Sequence, residues 1–229
     1  MSITLFTAPT PDGYKISIAL EELGLDYEVQ TLDLNGGEQK KPEFLKLNPN
    51  GKVPCLVDDG FAIMESGAIL LWLAEKTGRL LPADRQGRST AMQWLMLQVG
   101  GLGPMMGQAN MFGHYWPEKL PAVQGRYLGE VKRLFAILDA RLEGRDFLAD
   151  EFSIADIAHF CWARTAGWTG VETAPFPNIV TWLARIAERP AVQRGLKVPE
   201  HSPLKDGNGD NRAFIDRTRK LMGLPRREA

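Results

Sequence analysis

The sequence predicts a compact α/β unit over residues 1–80 followed by an all-helical unit over residues 88–198. Three observations carry this. Short strand-like apolar runs alternate with helical periods only in the first third of the chain. Asp58-Asp59-Gly60 stands between two apolar runs as a hairpin turn. Beyond Leu80-Leu81-Pro82-Ala83-Asp84, which reads as a linker, apolar residues recur only at helical spacing.

Taken in order, Ile3-Thr4-Leu5-Phe6 is a short strand ended by the breakers Ala8-Pro9-Thr10-Pro11-Asp12-Gly13. Tyr14 to Leu23 places Ile16, Ile18, Ala19, Leu20 and Leu23 at helical spacing, and Gly24 closes it. Asp26 to Leu34 alternates, with Tyr27, Val29 and Thr31 against Glu28 and Gln30, a strand signal. Pro42 to Leu47 is a short helix with proline in its first turn. Val53–Val57 and Phe61–Met64 form the hairpin, and Ser66 to Lys76 is an apolar helix stopped by Gly78. The order β-α-β-α-β-β-α makes the first two strands parallel and the last two antiparallel, with helices on both faces of one sheet.

In the second unit, Arg88 to Val99 is helical and is interrupted by Gly100-Gly101-Leu102-Gly103-Pro104. A longer helix over Pro121–Leu142 carries the stripe Leu128, Val131, Phe135, Leu138 and Leu142 on one face. Ser153-Ile154-Ala155-Asp156 is a capping box in its aspartate form, set before another apolar helix. Pro177 to Arg189 is a further helix, ended by Pro190. Residues 199–229 form a C-terminal extension: Lys205 to Asn211 has no hydrophobic period, and Phe214, Ile215, Leu221 and Met222 belong either to one more helix or to a mobile tail.

Composition narrows the function. The chain has 229 residues, 44% hydrophobic and 24% charged, the balance of a soluble globular protein. Its 27 basic and 28 acidic residues leave a net charge of −1, which argues against a nucleic-acid binder. Cys55 and Cys161 have apolar neighbours and no CxxC or Cys/His spacing, so neither a disulfide framework nor a metal site organises the fold. No apolar run reaches the ~18 residues a membrane helix needs. Met1-Ser2-Ile3-Thr4 has no charged start before an apolar core. The expectation is a cytoplasmic protein with no membrane partner.

Three features converge on one end of the predicted sheet. Thr10-Pro11-Asp12-Gly13 joins a strand to a helix, and the free N–H groups of the helix start suit an anion. The turn contains no cysteine, so a thiol there comes from a ligand; the competing reading is an ordinary turn with Thr10 or Asp12 as helix cap. Val53-Pro54 is a candidate cis peptide that would turn the Val53 N–H and C=O toward an extended ligand. Glu65-Ser66 precedes a helix: Ser66 as cap receives a carboxylate and Glu65 an ammonium, which together read an α-amino acid head. The competing reading is a plain cap beside a solvated acid.

Asn48-Pro49-Asn50-Gly51-Lys52-Val53-Pro54, then Glu65-Ser66-Gly67-Ala68-Ile69, then Ser153-Ile154-Ala155-Asp156 resemble the glutathione transferase superfamily, over about residues 3–198. Ala8-Pro9-Thr10-Pro11 with Gly13-Tyr14-Lys15, and Gln98-Val99-Gly100-Gly101-Leu102-Gly103-Pro104-Met105, are similar to its Nu-class bacterial members. The resemblance implies a thioredoxin-like N-terminal domain, a helical C-terminal domain and a homodimer. It also implies glutathione as co-substrate, acting on a small disulfide, peroxide or electrophile, with disulfide-bond reduction ahead of conjugation. A non-catalytic glutathione-binding regulatory module is the alternative from another class.

Carried over position by position, the resemblance gives Thr10 the hydroxyl that meets the glutathione sulfur. Val53, before a cis Pro54, becomes the backbone partner of the cysteinyl part. Glu65 and Ser66 become the binders of the γ-glutamyl head. Gln39 and Lys52 sit where side chains reach the glycyl carboxylate, and Arg126 matches an arginine reaching in from the helical domain. Phe6-Thr7 stands where other members place a tyrosine, which excludes a tyrosine mechanism.

Asp12 departs from the usual Thr-Pro-Asn-Gly. An ionised aspartate donates no hydrogen bond, and within about 4 Å it opposes a thiolate by several kcal/mol at an effective dielectric near 20. It therefore either faces the sulfur or caps the helix. Cys55 and Cys161 read as buried structural thiols. His114, in Phe112-Gly113-His114-Tyr115-Trp116, either lines an acceptor pocket or packs on its own domain.

Overall fold

A computed structural model describes residues 2–200, 212–221 and 223–224. Strand β1, Ile3–Thr7, lies in the middle of a four-stranded sheet of order β2-β1-β3-β4. β2, Glu28–Thr31, runs parallel to it with Val29 opposite Leu5. β3, Cys55–Asp58, runs antiparallel with Leu56 opposite Leu5, and β4, Phe61–Met64, closes the hairpin on β3. Helix α1 spans Pro11–Leu23, α2 spans Pro42–Leu45 and α3 spans Ser66–Thr77. This is the thioredoxin-like arrangement the sequence implied.

Alternation along β1 separates the two faces. Ile3 and Leu5 point into the core with α1 and α3. Phe6 points the other way and meets the Phe44 ring of α2 at 6.0 Å, so helices cover both faces. Two boundaries moved. β2 is shorter than its alternating stretch, and all four of its residues are exposed, because it forms an edge that no helix shields. β3 begins at Cys55, since Pro54 has no N–H for the ladder.

The helical domain contains α4, Arg85–Leu97, capped by Asp84, whose carboxylate accepts from the Gln86 and Gly87 N–H groups. The expected break at Gly100–Pro104 does not occur. A π-helical turn over 98–102 carries the chain into α5, Gly103–Asn110, with the Gly103 N–H bonded five residues back to the Gln98 carbonyl. Pro104 falls in the first turn of α5, where its missing N–H costs little, so the chain passes through the glycines without leaving the helix. A second π turn over 111–115 ends this run.

Next come α6, Pro121–Leu142, and α7, Ile154–Ala163. They are followed by α8, Ala166–Thr169, α9, Pro177–Ala187, and α10, Pro190–Gly195. Pro190 therefore opens a helix as well as ending one. The α6 stripe is buried at Val131, Phe135, Leu138 and Leu142, with Leu134 in place of half-buried Leu128. Of the C-terminal extension, Arg212–Leu221 is helix α11, packed against the 111–115 turn. Lys205 to Asn211 and Met222 lie outside the described residues. No described helix is long and apolar enough to cross a membrane.

One apolar core runs from Leu5, Ile16 and Leu70 to Val131, Phe160 and Trp182, so the two domains share it. Helix α1 is its hub, packed on α3, α7 and α10. The Ser17 hydroxyl donates to the Gly195 carbonyl at 2.7 Å, and Arg189 forks onto Glu22 at 2.7 and 2.8 Å. The middle and the C-terminal end of α1 are thereby tied to the helical domain.

The capping box forms and extends beyond its helix. Asp156 Oδ2 accepts from the Ser153 N–H at 3.0 Å and the Ser153 hydroxyl at 3.1 Å. Its Oδ1 accepts from the Leu148 N–H and from Trp182 Nε1, both at 3.0 Å.

Candidate active site

The β1–α1 turn ends in Thr10, the residue that caps α1: its Oγ accepts from the Gly13 N–H at 3.0 Å. Asp12 is not the cap. Acceptance occupies a lone pair of Thr10 and leaves its hydroxyl proton for a ligand. Only glycine fits at 13, where a Cβ would come 2.3 Å from the Ala8 carbonyl oxygen.

A cleft of about 390 Å³ opens at this end of the sheet. One wall is the 48–54 loop with Glu65 and Ser66; the other is the run from Gln98 to Gln108 with Trp162. Asn48 shapes the loop, donating to the Lys52 carbonyl at 2.7 Å and accepting from the Asn50 N–H at 3.0 Å. The Val53–Pro54 peptide is cis. Asp12, Lys52, Val53, Pro54, Glu65 and Ser66 all line the cleft, whereas Thr10, half-buried two positions before Asp12, is not among its lining residues.

Two sequence-derived candidates lie elsewhere. Gln39 donates to the Leu34 carbonyl at 3.4 Å, which turns its amide nitrogen away, and its Oε1 is buried without a partner among the described residues. Arg126 lies on the exposed face of α6, 3.5 Å from Glu130.

Ser66 is the first residue inside α3, not its cap. That place belongs to Glu65, held at φ 69° and ψ 118°. A non-glycine residue there is strained, the kind of outlier that functional sites store. The Glu65 carboxylate accepts from Asn50 Nδ2 at 3.3 Å and stays exposed at the cleft rim.

The sequence left three site residues without a role. Lys15 is almost wholly buried, and its ammonium lies 2.7 Å from Asp12 Oδ1, 2.6 Å from Gln98 Oε1 and 3.2 Å from Ser66 Oγ. Trp162 Nε1 donates to Asp12 Oδ1 at 3.0 Å and the Ser66 hydroxyl donates to it at 3.4 Å. The available signal was a lysine between Tyr14 and Ile16 on an apolar face, three residues after an acid.

Burial pushes the Asp12 carboxyl up, but the Lys15 charge and the hydrogen bonds from Lys15, Trp162 and Ser66 more than offset this. It titrates below the ordinary carboxylate range. Asp12 thus faces the cleft as one half of an ion pair, a third arrangement beside the two expected.

Burial pushes the Cys55 thiol up to about 11 and the Cys161 thiol up to about 12. Neither supplies a thiolate at neutral pH. His114 stacks on Trp168 with ring centres 3.9 Å apart and Nε2 2.7 Å from the Trp168 carbonyl oxygen, so this loop packs on its own domain. Among the described residues, no group of three His, Cys, Asp or Glu could hold a metal ion.

A thioredoxin-like domain whose cis-proline wall faces a cleft closed by a helical domain defines the glutathione transferase architecture. Residues 1–75 match the family model "Glutathione S-transferase, N-terminal domain" and residues 102–190 match "Glutathione S-transferase, C-terminal domain". The chain belongs to the glutathione S-transferase family. It is 44% identical over 221 residues to the disulfide-bond oxidoreductase YfcG of Escherichia coli (strain K12), covering 92% of this chain and 99% of that protein.

A Burkholderia graminis glutathione transferase, crystallised with two glutathione molecules per subunit, matches at TM-score 0.82 and 45% identity over 88% of this chain and 90% of that one. A Pseudomonas putida glutathione transferase, with one glutathione disulfide bound per subunit, matches at TM-score 0.80 and 42% identity over 86% and 92%.

Proposed function

We propose that this protein is a glutathione-dependent disulfide-bond oxidoreductase. One observation carries the reading. The chain's own two thiols are buried and raised, while the start of α1 opens through Asp12 onto a cleft lined by Val53, cis Pro54, Glu65 and Ser66, which suits a thiol-bearing peptide.

Glutathione lies along the 48–54 wall. Glu65 takes its ammonium, Ser66 its γ-glutamyl carboxylate and the Val53 backbone its cysteinyl unit, with Lys52 toward the glycyl carboxylate. For Gln39 and Arg126 to join, Gln39 must turn its amide nitrogen from Leu34 and Arg126 must leave Glu130. Thr10 donates its hydroxyl to the sulfur. The glutathione thiolate attacks one sulfur of a disulfide, forming a mixed disulfide and releasing a thiolate that takes a proton from water. A second glutathione thiolate then gives glutathione disulfide and frees the second thiol.

Steady-state turnover of hydroxyethyl disulfide with glutathione tests the reading, and an inert protein overturns it. The same assay with a chloronitrobenzene ranks conjugation beside it. Thr10→Ala should lower turnover at least about tenfold, the loss of one hydrogen bond to a charged acceptor. It also removes the cap at a cost of about 1 kcal/mol. Thr10→Ser keeps both functions and should retain activity, which separates the hydroxyl from the fold.

The working unit we infer is a homodimer. Phe61 on edge strand β4 is 58% exposed and sits 5.3 Å from the Trp72 ring of α3, with Met64 and Met96 also exposed. Large apolar side chains left in water at a sheet edge suit an interface between copies. Sedimentation should give twice the chain mass, and Phe61→Glu with Trp72→Glu should shift it to one.

A further inference from the structure

We propose that Gln98 donates a hydrogen bond to the leaving sulfur during disulfide cleavage, an assignment that rests on the oxidoreductase reading. Lys15 has only donors, so the Gln98 carboxamide must present its oxygen to the ammonium, 2.6 Å away. That fixes which way the amide points. Nε2 is turned to the opposite side, toward Gly103 on the cleft wall, where an added Cβ would lie 2.8 Å from it.

Gln98 is fully buried, and Nε2 has no acceptor among the described residues. A buried amide left unmatched is costly, and a ligand acceptor placed over Gly103 relieves it. Glycine at 103 places no side chain against Nε2 on that wall.

Thiol–disulfide exchange places such an acceptor there. The attacking thiolate, held by Thr10 at the α1 end, forms a new S–S bond as the old one breaks. The bonding pair of the old bond leaves on the far sulfur. Attack in line sets that sulfur beyond the attacked one, away from α1 and toward the wall of Gly103 and Pro104. Negative charge therefore develops where Nε2 can meet it, and a donor aimed at developing charge accelerates the step.

The test compares two disulfides, with rates corrected for uncatalysed exchange. Hydroxyethyl disulfide expels an alkyl thiolate, which needs the donor; a nitroaryl disulfide expels a thiolate whose charge spreads into its ring. Gln98→Met should lower kcat/KM about tenfold or more for the first substrate and less than about twofold for the second, with half-saturation by glutathione unchanged. Gly103→Ala, which keeps the carboxamide and covers it, should shift the same ratio in the same direction. Equal losses on both disulfides, or a higher glutathione requirement at unchanged kcat, would assign Gln98 to packing or to glutathione binding and overturn the proposal. A wild-type protein inert toward both substrates overturns the oxidoreductase reading itself.

Discussion

Asp156→Ala is expected to destabilise the folded chain by about 3–5 kcal/mol. The carboxylate is fully buried and accepts four hydrogen bonds, from two backbone N–H groups, the Ser153 hydroxyl and the Trp182 indole. Alanine orphans all four donors at once, in a core shared by both domains.

The pH dependence carries a second signature. Burial pushes Asp156 up to about 6, against 3.8 for the free group. Its contribution to stability is therefore full below pH 3.8 and is lost as pH rises through 6, by about 3 kcal/mol. Burial pushes His159 the other way, from 6.5 down to about 4, while its Nε2 pairs with the Trp94 carbonyl. That contribution is full above pH 6.5 and is lost as pH falls through 4, again by about 3 kcal/mol.

Over pH 4–6.5 the two slopes oppose and nearly cancel. His159→Gln, which can keep a donor to Trp94, should expose the Asp156 slope, so that urea midpoints rise on acidification from pH 7 to 5. Asp156→Ala should show the reverse, with midpoints falling further over the same range. Parallel pH curves for wild type and both variants would show that neither group titrates in the folded core.

The two domains, the hairpin, the α6 stripe and the capping box were legible because each is written in neighbouring residues. Ser153 and Asp156 are three apart, and Asp59-Gly60 sit inside their own turn. The floor of the site is written otherwise. Lys15 meets Ser66 and Gln98 across 51 and 83 residues of sequence, so only the packed α1 hub brings them together.

The Gly100–Pro104 run misled for a local reason. Glycine and proline read as a break wherever an α-helical ladder is assumed, and the five-residue π bond evades that rule. Glu65 was found as an acid beside Ser66, but the backbone angle that makes it the cap leaves no trace in residue type. Gln39 and Arg126 came from position alone, and position does not say which way a side chain turns.

Lys15→Met should be the most disruptive single change in the cleft, and Asp12 explains why. Taken alone, an aspartate in place of the usual asparagine repels the thiolate it sits near. Paired at 2.7 Å with a buried ammonium, its charge is offset before any ligand arrives. Methionine removes that offset and leaves an ionised carboxylate in the wall. The Asp12 side chain keeps 37% exposure, so solvent screens part of the cost and the loss of stability should be about 2–4 kcal/mol.

At the sulfur, an uncompensated charge within about 6 Å acts with a few kcal/mol at an effective dielectric near 20, and solvent reduces this further. The rising limb of the pH–rate profile should therefore move up by about one unit in Lys15→Met. Asp12→Asn should move it down by about one unit, because it leaves the ammonium unopposed and restores a donor. The double variant Lys15→Met/Asp12→Asn should return the limb close to wild type and recover most of the lost stability, since each substitution removes the charge the other leaves stranded. Ultraviolet absorbance of the bound thiolate reports the same titration without turnover. Shifts below about 0.3 units in both single variants would mean that the sulfur does not feel this ion pair, and would confine Asp12 and Lys15 to joining α1, α3 and the π turn.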